Sequence, residues 1–307
     1  MIRVLALTVM AAWLAGGCAL LRPDAEPGPA PSPPTGRRVS VVASFYPLYE
    51  FAARVGGDAI AVRNLVPAGA APHDFEPSPR DVAALYASGV LIYNGAGFEP
   101  WIEKLLPALP AAVERVETTE GLPLLRGIED RDAADPHVWV DPVLAQRQVD
   151  RILAAFVKVD PERRRTYEAN AAVLRADLAA LHRRAAETLK NCRSTTLVTA
   201  HAAFQYFANR YGLRLIPITG LSPEVEPAPA RLRAVLREVR THRVRAIYFE
   251  TLASPKVAQT IAREVGARTL VLNPVEGLTR DEQAAGTTYF TVMHENLRHL
   301  ADGLECR

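Results

Sequence analysis

The stretch DPERRRTYEANAAVLRADLAALHRRAAETLKNC, residues 160–192, decides the architecture. It has no glycine, and its one proline stands at the first helical position, where a missing N–H costs nothing. Tyr167, Leu174, Leu178, Leu181, Ala185 and Leu189 fall on one face at helical spacing. This pattern predicts an unbroken helix over 160–191, roughly 45 Å long at about 1.5 Å per residue. Such a helix is a rigid strut, and its charged face reads as solvated.

On either side of the strut, strand-like runs alternate with helix-like runs. RVSVVASF (38–45), AVRNLV (61–66), VLIYNG (90–95) and AVERVETT (112–119) read as strands before it. TTLVTA (195–200), RLIPIT (214–219), AIYFET (246–251) and TLVLNP (269–274) read as strands after it. PLYEFAARVGG and SPRDVAALYASG have helical spacing and end at glycine. The second opens with Ser78 as N-cap, Pro79 at the first helical position and Asp81 in the first turn. AAFQYFANRYG, APARLRAVLREVRTH and SPKVAQTIAREVG are the helices of the second half. The alternation predicts an α/β fold of two lobes, each a mostly parallel sheet flanked by helices, joined by one long rigid helix. The lobes are expected over 39–159 and 192–307. No internal repeat can be aligned.

The bulk composition narrows the function classes. With 36 basic against 34 acidic residues, the chain has no global pull toward nucleic acid. Arg3 precedes an apolar run, Val4 to Leu14, which has signal-peptide length and is too short to span a bilayer. LAGGC then resembles a bacterial lipobox, although Ala15 stands three residues before the cysteine. The expectation is a signal peptide over 1–17 and a lipid on Cys18, with ordinary signal-peptide cleavage as the alternative. Six prolines in 19–38 predict an extended tether over 18–38, reaching roughly 60 Å in polyproline II. The protein is thus expected to be exported and held on the outer side of the cytoplasmic membrane, at the cell surface or in a periplasm. An exported chain favours a disulfide between Cys192 and Cys306, with two free buried thiols as the alternative.

Four of the seven histidines, His182, His242, His294 and His299, lie in helix-like or charged segments and read as structural. His73 follows the strand AVRNLV, His137 sits in DPHVWVDP, and His201 ends the strand TTLVTA. Ligands of α/β sheets bind beyond the carboxyl ends of strands, so these three invite a shared metal site. Spacing alone leaves open three separate, locally bonded histidines.

FYPLYEFA, HDFEPSPRDV, NGAGFEPWIEKLL, DPHVWVDPVLAQ, TAHAAFQYFANRYGL, GLSPEVEPAPARL and LNPVEGLT together resemble the zinc/manganese solute-binding lipoprotein family of ABC importers. The resemblance covers nearly all of residues 39–306. It implies one metal ion in a cleft between two lobes, ligands from both, and a membrane ABC permease as partner. It also implies that His73, His137 and His201 are the histidine ligands. Many members take a fourth ligand from an aspartate where this chain has Asn273. A zinc-type branch uses the glutamate three residues later, here Glu276, and that assignment is adopted, with a water in its place as the alternative.

Three imidazoles and one carboxylate suit tetrahedral zinc, whereas a site richer in carboxylates would suit manganese, kept as the alternative. Four closed ligands argue against catalysis, which needs an open position for water. A metal-dependent hydrolase on a barrel is the competing class, but the central helix and the absence of a HExxH signature disfavour it. An adhesin reading finds no physical basis in the residues. A monomer is expected. Asp130, Asp132 and Asp135 read as solvated acids near the cleft mouth. Trp139, Phe75 and Phe204 are expected to pack around the site, and Glu250 and Asp141 are candidates to accept a ligand histidine's second ring proton.

Overall fold

The most continuously apolar runs become the central strands of the first sheet, β1 (Val39–Ala43) and β3 (Val90–Tyr93). Central strands of parallel sheets are covered on both faces, which is why they lack alternation; β3 is buried at every position. The edges are β2 (Ile60–Asn64), which alternates buried and more exposed residues, and β4 (Glu114–Glu117). The order is β2-β1-β3-β4 with every pairing parallel. The computed structural model describes residues 38–128 and 131–307, which fall in one compact unit. The expected signal peptide, Cys18 and residues 18–37 of the expected tether lie outside the described residues.

Helices α1 (Tyr46–Gly56), α2 (Pro79–Tyr86) and α3 (Pro100–Leu105) connect these strands. The start of α2 is the one read from sequence: the Ser78 hydroxyl accepts from the Asp81 N–H, and the Asp81 carboxylate accepts from the Ser78 N–H. This reciprocal cap satisfies two donors that a helix start leaves free.

The second half repeats the arrangement. β5 (Thr196–Thr199) pairs in parallel with β6 (Arg214–Pro217), and β7 (Ala246–Phe249) with β8 (Arg268–Val271). β5 lies alongside β7 although the two pairs remain separate two-stranded sheets, so the spatial order β6-β5-β7-β8 follows that of the first sheet without its continuous ladder. In both halves the first strand sits between the second and third. Helices α6 (Gln205–Arg210), α7 (Pro229–Thr241) and α8 (Lys256–Val265) cover these strands.

The strut is an α-helix over Arg164–Leu189 (26 residues), or about 39 Å at 1.5 Å per residue. It is shorter than the expected 160–191 at both ends. At the start, Asp160 accepts from the Tyr167 hydroxyl and the Arg163 guanidinium, each at 2.6 Å, and Pro161–Arg163 form a tighter 3₁₀ turn. At the end, Cys192 pairs with Cys306 in an isolated antiparallel bridge and forms the expected disulfide with it. Every residue assigned to the apolar face is buried.

The strut is not a bare connection. A helix the sequence reading did not assign (Pro142–Val159, 18 residues) precedes it and packs along it. In chain order these two are α4 and α5. A short helix, α9 (Arg280–Ala284), and a longer one, α10 (Tyr289–Gly303), follow β8. α5 therefore contacts α1 and α4 of the first half and α10 of the second. No helix among the described residues is long and apolar enough to cross a membrane.

Candidate metal centre

His73, His137, His201 and Glu276 meet, each offering one ligand atom within 4.8 Å of the others. Glu276 Oε1 is the hub, 3.1 Å from His201 Nε2 and 3.5 Å from the Nε2 atoms of His73 and His137. Each ligand stands just beyond a carboxyl strand end or in a loop held there. His73 follows β2 and His201 follows β5 by two residues. Glu276 lies five residues past β8. His137 lies in the loop between β4 and α4, not directly on a strand.

Two rings are fixed by carboxylates behind them. His201 Nδ1 lies 2.6 Å from Glu250 Oε1, as the sequence reading allowed. His137 Nδ1 lies 2.8 Å from Asp135 Oδ1, which also accepts the His137 backbone N–H at 3.0 Å. Such contacts place the ring proton on Nδ1 and leave the Nε2 lone pair for a metal. Asp141, the other candidate, does something else: it caps α4 and binds Arg210.

Asp135 is the main departure from expectation. It is fully buried rather than solvated. The Tyr206 hydroxyl donates to its carbonyl at 2.7 Å, and its N–H donates to the Leu125 carbonyl. The usable signal was an aspartate two residues before a histidine, which lets one carboxylate reach both the backbone N–H and the ring. Asp132 is exposed as expected, and Asp130 lies outside the described residues.

The aromatic wall also differs in part. Trp139 packs on His137 with ring centroids 5.2 Å apart. The residue against His73 is Phe98, at 4.6 Å. Phe75 meets Trp101 edge to face, and Phe204 meets Phe207 in the same way. Phe98 is carried by a turn in which Gly95, Ala96 and Gly97 all have positive φ. Glu99 holds this turn by accepting from the Asn94 and Gly95 N–H groups and the Ser44 hydroxyl.

Asn273 has a definite place behind Glu276. Its backbone N–H and carbonyl are both bonded by the Asn296 side chain, at 2.8 and 2.6 Å. Its Oδ1 accepts from the Val275 N–H at 2.8 Å, and its Nδ2 donates to Thr251 Oγ1. Val275 has φ 61°, a left-handed conformation that is costly for a β-branched residue. Trp139 Nε1 donates to the Pro274 carbonyl at 2.7 Å. Together these contacts impose the turn that aims Glu276 at the three rings.

The electrostatics follow from burial and pairing. Burial favours the neutral ring of His137, but Asp135 and Glu276 outweigh it and raise its pKa above the ordinary value. His201 is raised further, since Glu250 and Glu276 overcome its burial. Burial alone would raise Glu276, yet the surrounding histidines hold it well below the usual carboxylate range. The carboxyl groups of Glu276, Asp135 and Glu250 all face the three rings in a buried space. That space favours a cation.

The sequence of residues 41–303 matches the family model described as zinc-uptake complex component A, periplasmic (ZnuA). The chain is 39% identical to the high-affinity zinc uptake system protein ZnuA of Bacillus subtilis over 284 residues, 88% of each chain. It is 38% identical to the Zn(II)-bound ZnuA-like domain of Streptococcus pneumoniae AdcA, with a TM-score of 0.77 over 88% of this chain and all of that domain. The chain spans about half of full-length AdcA, 55% of it. A laminin-binding protein (Lmb) of Streptococcus agalactiae, described as having adhesin and metal-transporting activity, is 34% identical, with a TM-score of 0.80 over 87% of this chain and all of that one. By the extent and order of these matches, the chain belongs to the ZnuA family of zinc-uptake proteins.

Proposed function

We propose that this protein is a solute-binding receptor, not an enzyme, that captures zinc and delivers it to a membrane ABC permease for import. His73, His137, His201 and Glu276 are the metal ligands in this reading. The observation that carries it is the convergence of three Nε2 atoms within 3.5 Å of Glu276 Oε1. Three nitrogens and one oxygen make the donor set of a closed tetrahedral zinc site and a poor one for manganese. Family membership supports the same metal, since relatives are named for zinc uptake or zinc binding. Export, lipid attachment at Cys18 and action as a monomer complete the proposal, and the proline-rich segment would keep the receptor near its permease.

The test is zinc binding by calorimetry on metal-free protein. His201→Ala is expected to lower affinity by at least about 100-fold, as loss of one of four ligands in a buried site should, while the thermal midpoint of the metal-free protein is kept. Unchanged affinity in a folded variant overturns the ligand assignment.

A further inference from the structure

Two openings reach the metal centre, and they differ in chemistry. One is a cavity of about 270 Å³ beside His73, bordered by Asp74, Gly97, Phe98 and Ser222. On the other side lie two neighbouring cavities. A chamber of about 10 Å³, room for one water molecule, is walled by Glu224, Glu250, Asn273 and Glu276. Outside it lies a cavity of about 540 Å³ with Glu224, Glu226 and Lys256 on its walls. Pro223, Glu224, Leu252 and Ala253 line both cavities, so these four residues form the neck between them.

Glu224 is the charged member of that neck. It is exposed, and its Oε2 accepts from the Ser222 hydroxyl at 2.6 Å. Glu224 borders both cavities, and Glu250 and Glu276 border the inner one, so the three carboxylates follow one another from the surface toward the hub oxygen. A divalent cation is drawn along increasing negative potential, and low-dielectric walls sharpen that field.

We propose that the metal ion enters through the neck beneath residues 223–227 and that Glu224 receives it from solvent. Glu224 is then a residue of the capture rate and not a ligand of the bound state. The inference rests on the zinc-receptor reading and deepens it.

The experiment mixes metal-free full-length protein rapidly with Zn²⁺ and follows the intrinsic tryptophan fluorescence, to which Trp139, packed on His137, contributes, with equilibrium affinity measured separately. Glu224→Gln is expected to slow association at least about threefold at low ionic strength, and the difference should vanish near 0.5 M salt. Asp74→Asn, at the other opening, is expected to associate at the wild-type rate. Ala253→Phe, which fills the shared neck, is expected to slow association and dissociation together and leave the dissociation constant unchanged. Wild-type association by Glu224→Gln, or slowing by Asp74→Asn, overturns the entry route. Failure of the wild-type protein to bind zinc at equilibrium would instead overturn the receptor reading.

Discussion

Replacing Asp135 by alanine should weaken zinc binding by about 100-fold, or about 2.7 kcal/mol. The argument starts from the proton. A zinc-bound His137 must give its Nε2 lone pair to the metal, so its proton must sit on Nδ1. In the wild type that N–H donates to Asp135 Oδ1 at 2.8 Å in a fully buried setting. Without the carboxylate, a buried N–H is left unsatisfied, which costs about 1–3 kcal/mol. The metal-free protein can avoid that cost by moving the proton to Nε2, which faces Glu276 at 3.5 Å. The penalty therefore falls on the bound state and appears as lost affinity. Asp135→Asn keeps an acceptor oxygen and should lose no more than about tenfold. Because Asp135 also favours the protonated ring, its loss relieves proton competition, so the comparison belongs at pH 8.5. The assay is competition with a calibrated chelator, with melting of the metal-free protein as the control for folding. A folded Asp135→Ala variant that binds within threefold of wild type, or an asparagine variant as weak as alanine, would refute the reasoning.

Glu276→Gln should weaken zinc binding more than Asn273→Ala, because the first removes the hub charge and the second only loosens the turn that aims it; chelator competition giving the reverse order would move the fourth ligand. Burial pushes the Glu99 carboxyl up to about 7 from 4.5, even though Ser44, Asn94 and Gly95 donate to it. Its folded pKa lies above its unfolded value, so this stability is fully present below about pH 4.5 and is lost as pH rises through about 7, by about 3 kcal/mol at 1.36 kcal/mol per unit. The melting temperature should therefore fall between pH 5 and pH 8 by several degrees more in the wild type than in Glu99→Gln, and parallel profiles would count against a raised Glu99.

What was legible in the sequence is what local pattern dictates. All eight strands form where a run marked them, although most runs extend two or three residues past the strand's end; the central strands were clearest because strands buried on both faces need continuous Val, Ile and Leu. The apolar face of α5 was legible because Tyr167 through Leu189 keep one periodicity for about six turns. α4 went unassigned although its buried residues, Leu144, Ala145, Val149, Ile152, Ala155 and Phe156, recur at helical spacing. Phe98 was missed because its role depends on a partner far away in the chain, His73. Asp135 was misread as solvated although His137, the residue it holds, stands two positions on; what buries it is not local, since the Tyr206 hydroxyl that bonds its carbonyl lies 71 residues away. Glu276 was reached only through the family resemblance, since nothing local separates it from Glu250 or Glu224.

The hydrogen bonds around the centre are unevenly shared, and this bears on how a metal would be held. The segment carrying His137 comes from the first half of the chain but is tied to the second. Tyr206 bonds the Asp135 carbonyl, Arg210 bonds Asp141, Trp139 bonds the Pro274 carbonyl, and Tyr289 bonds the Trp139 carbonyl. His137, His201 and Glu276 therefore belong to one network. His73 stands apart from it. Its Nε2 has no hydrogen-bond partner among the described residues, and its ring is set by Phe98 and by the stiff loop that ends at Pro77 and Pro79. α5 packs against helices of both halves. Of the three rings around Glu276, His137 and His201 each have a carboxylate behind them, whereas His73 is set by ring packing and by its loop.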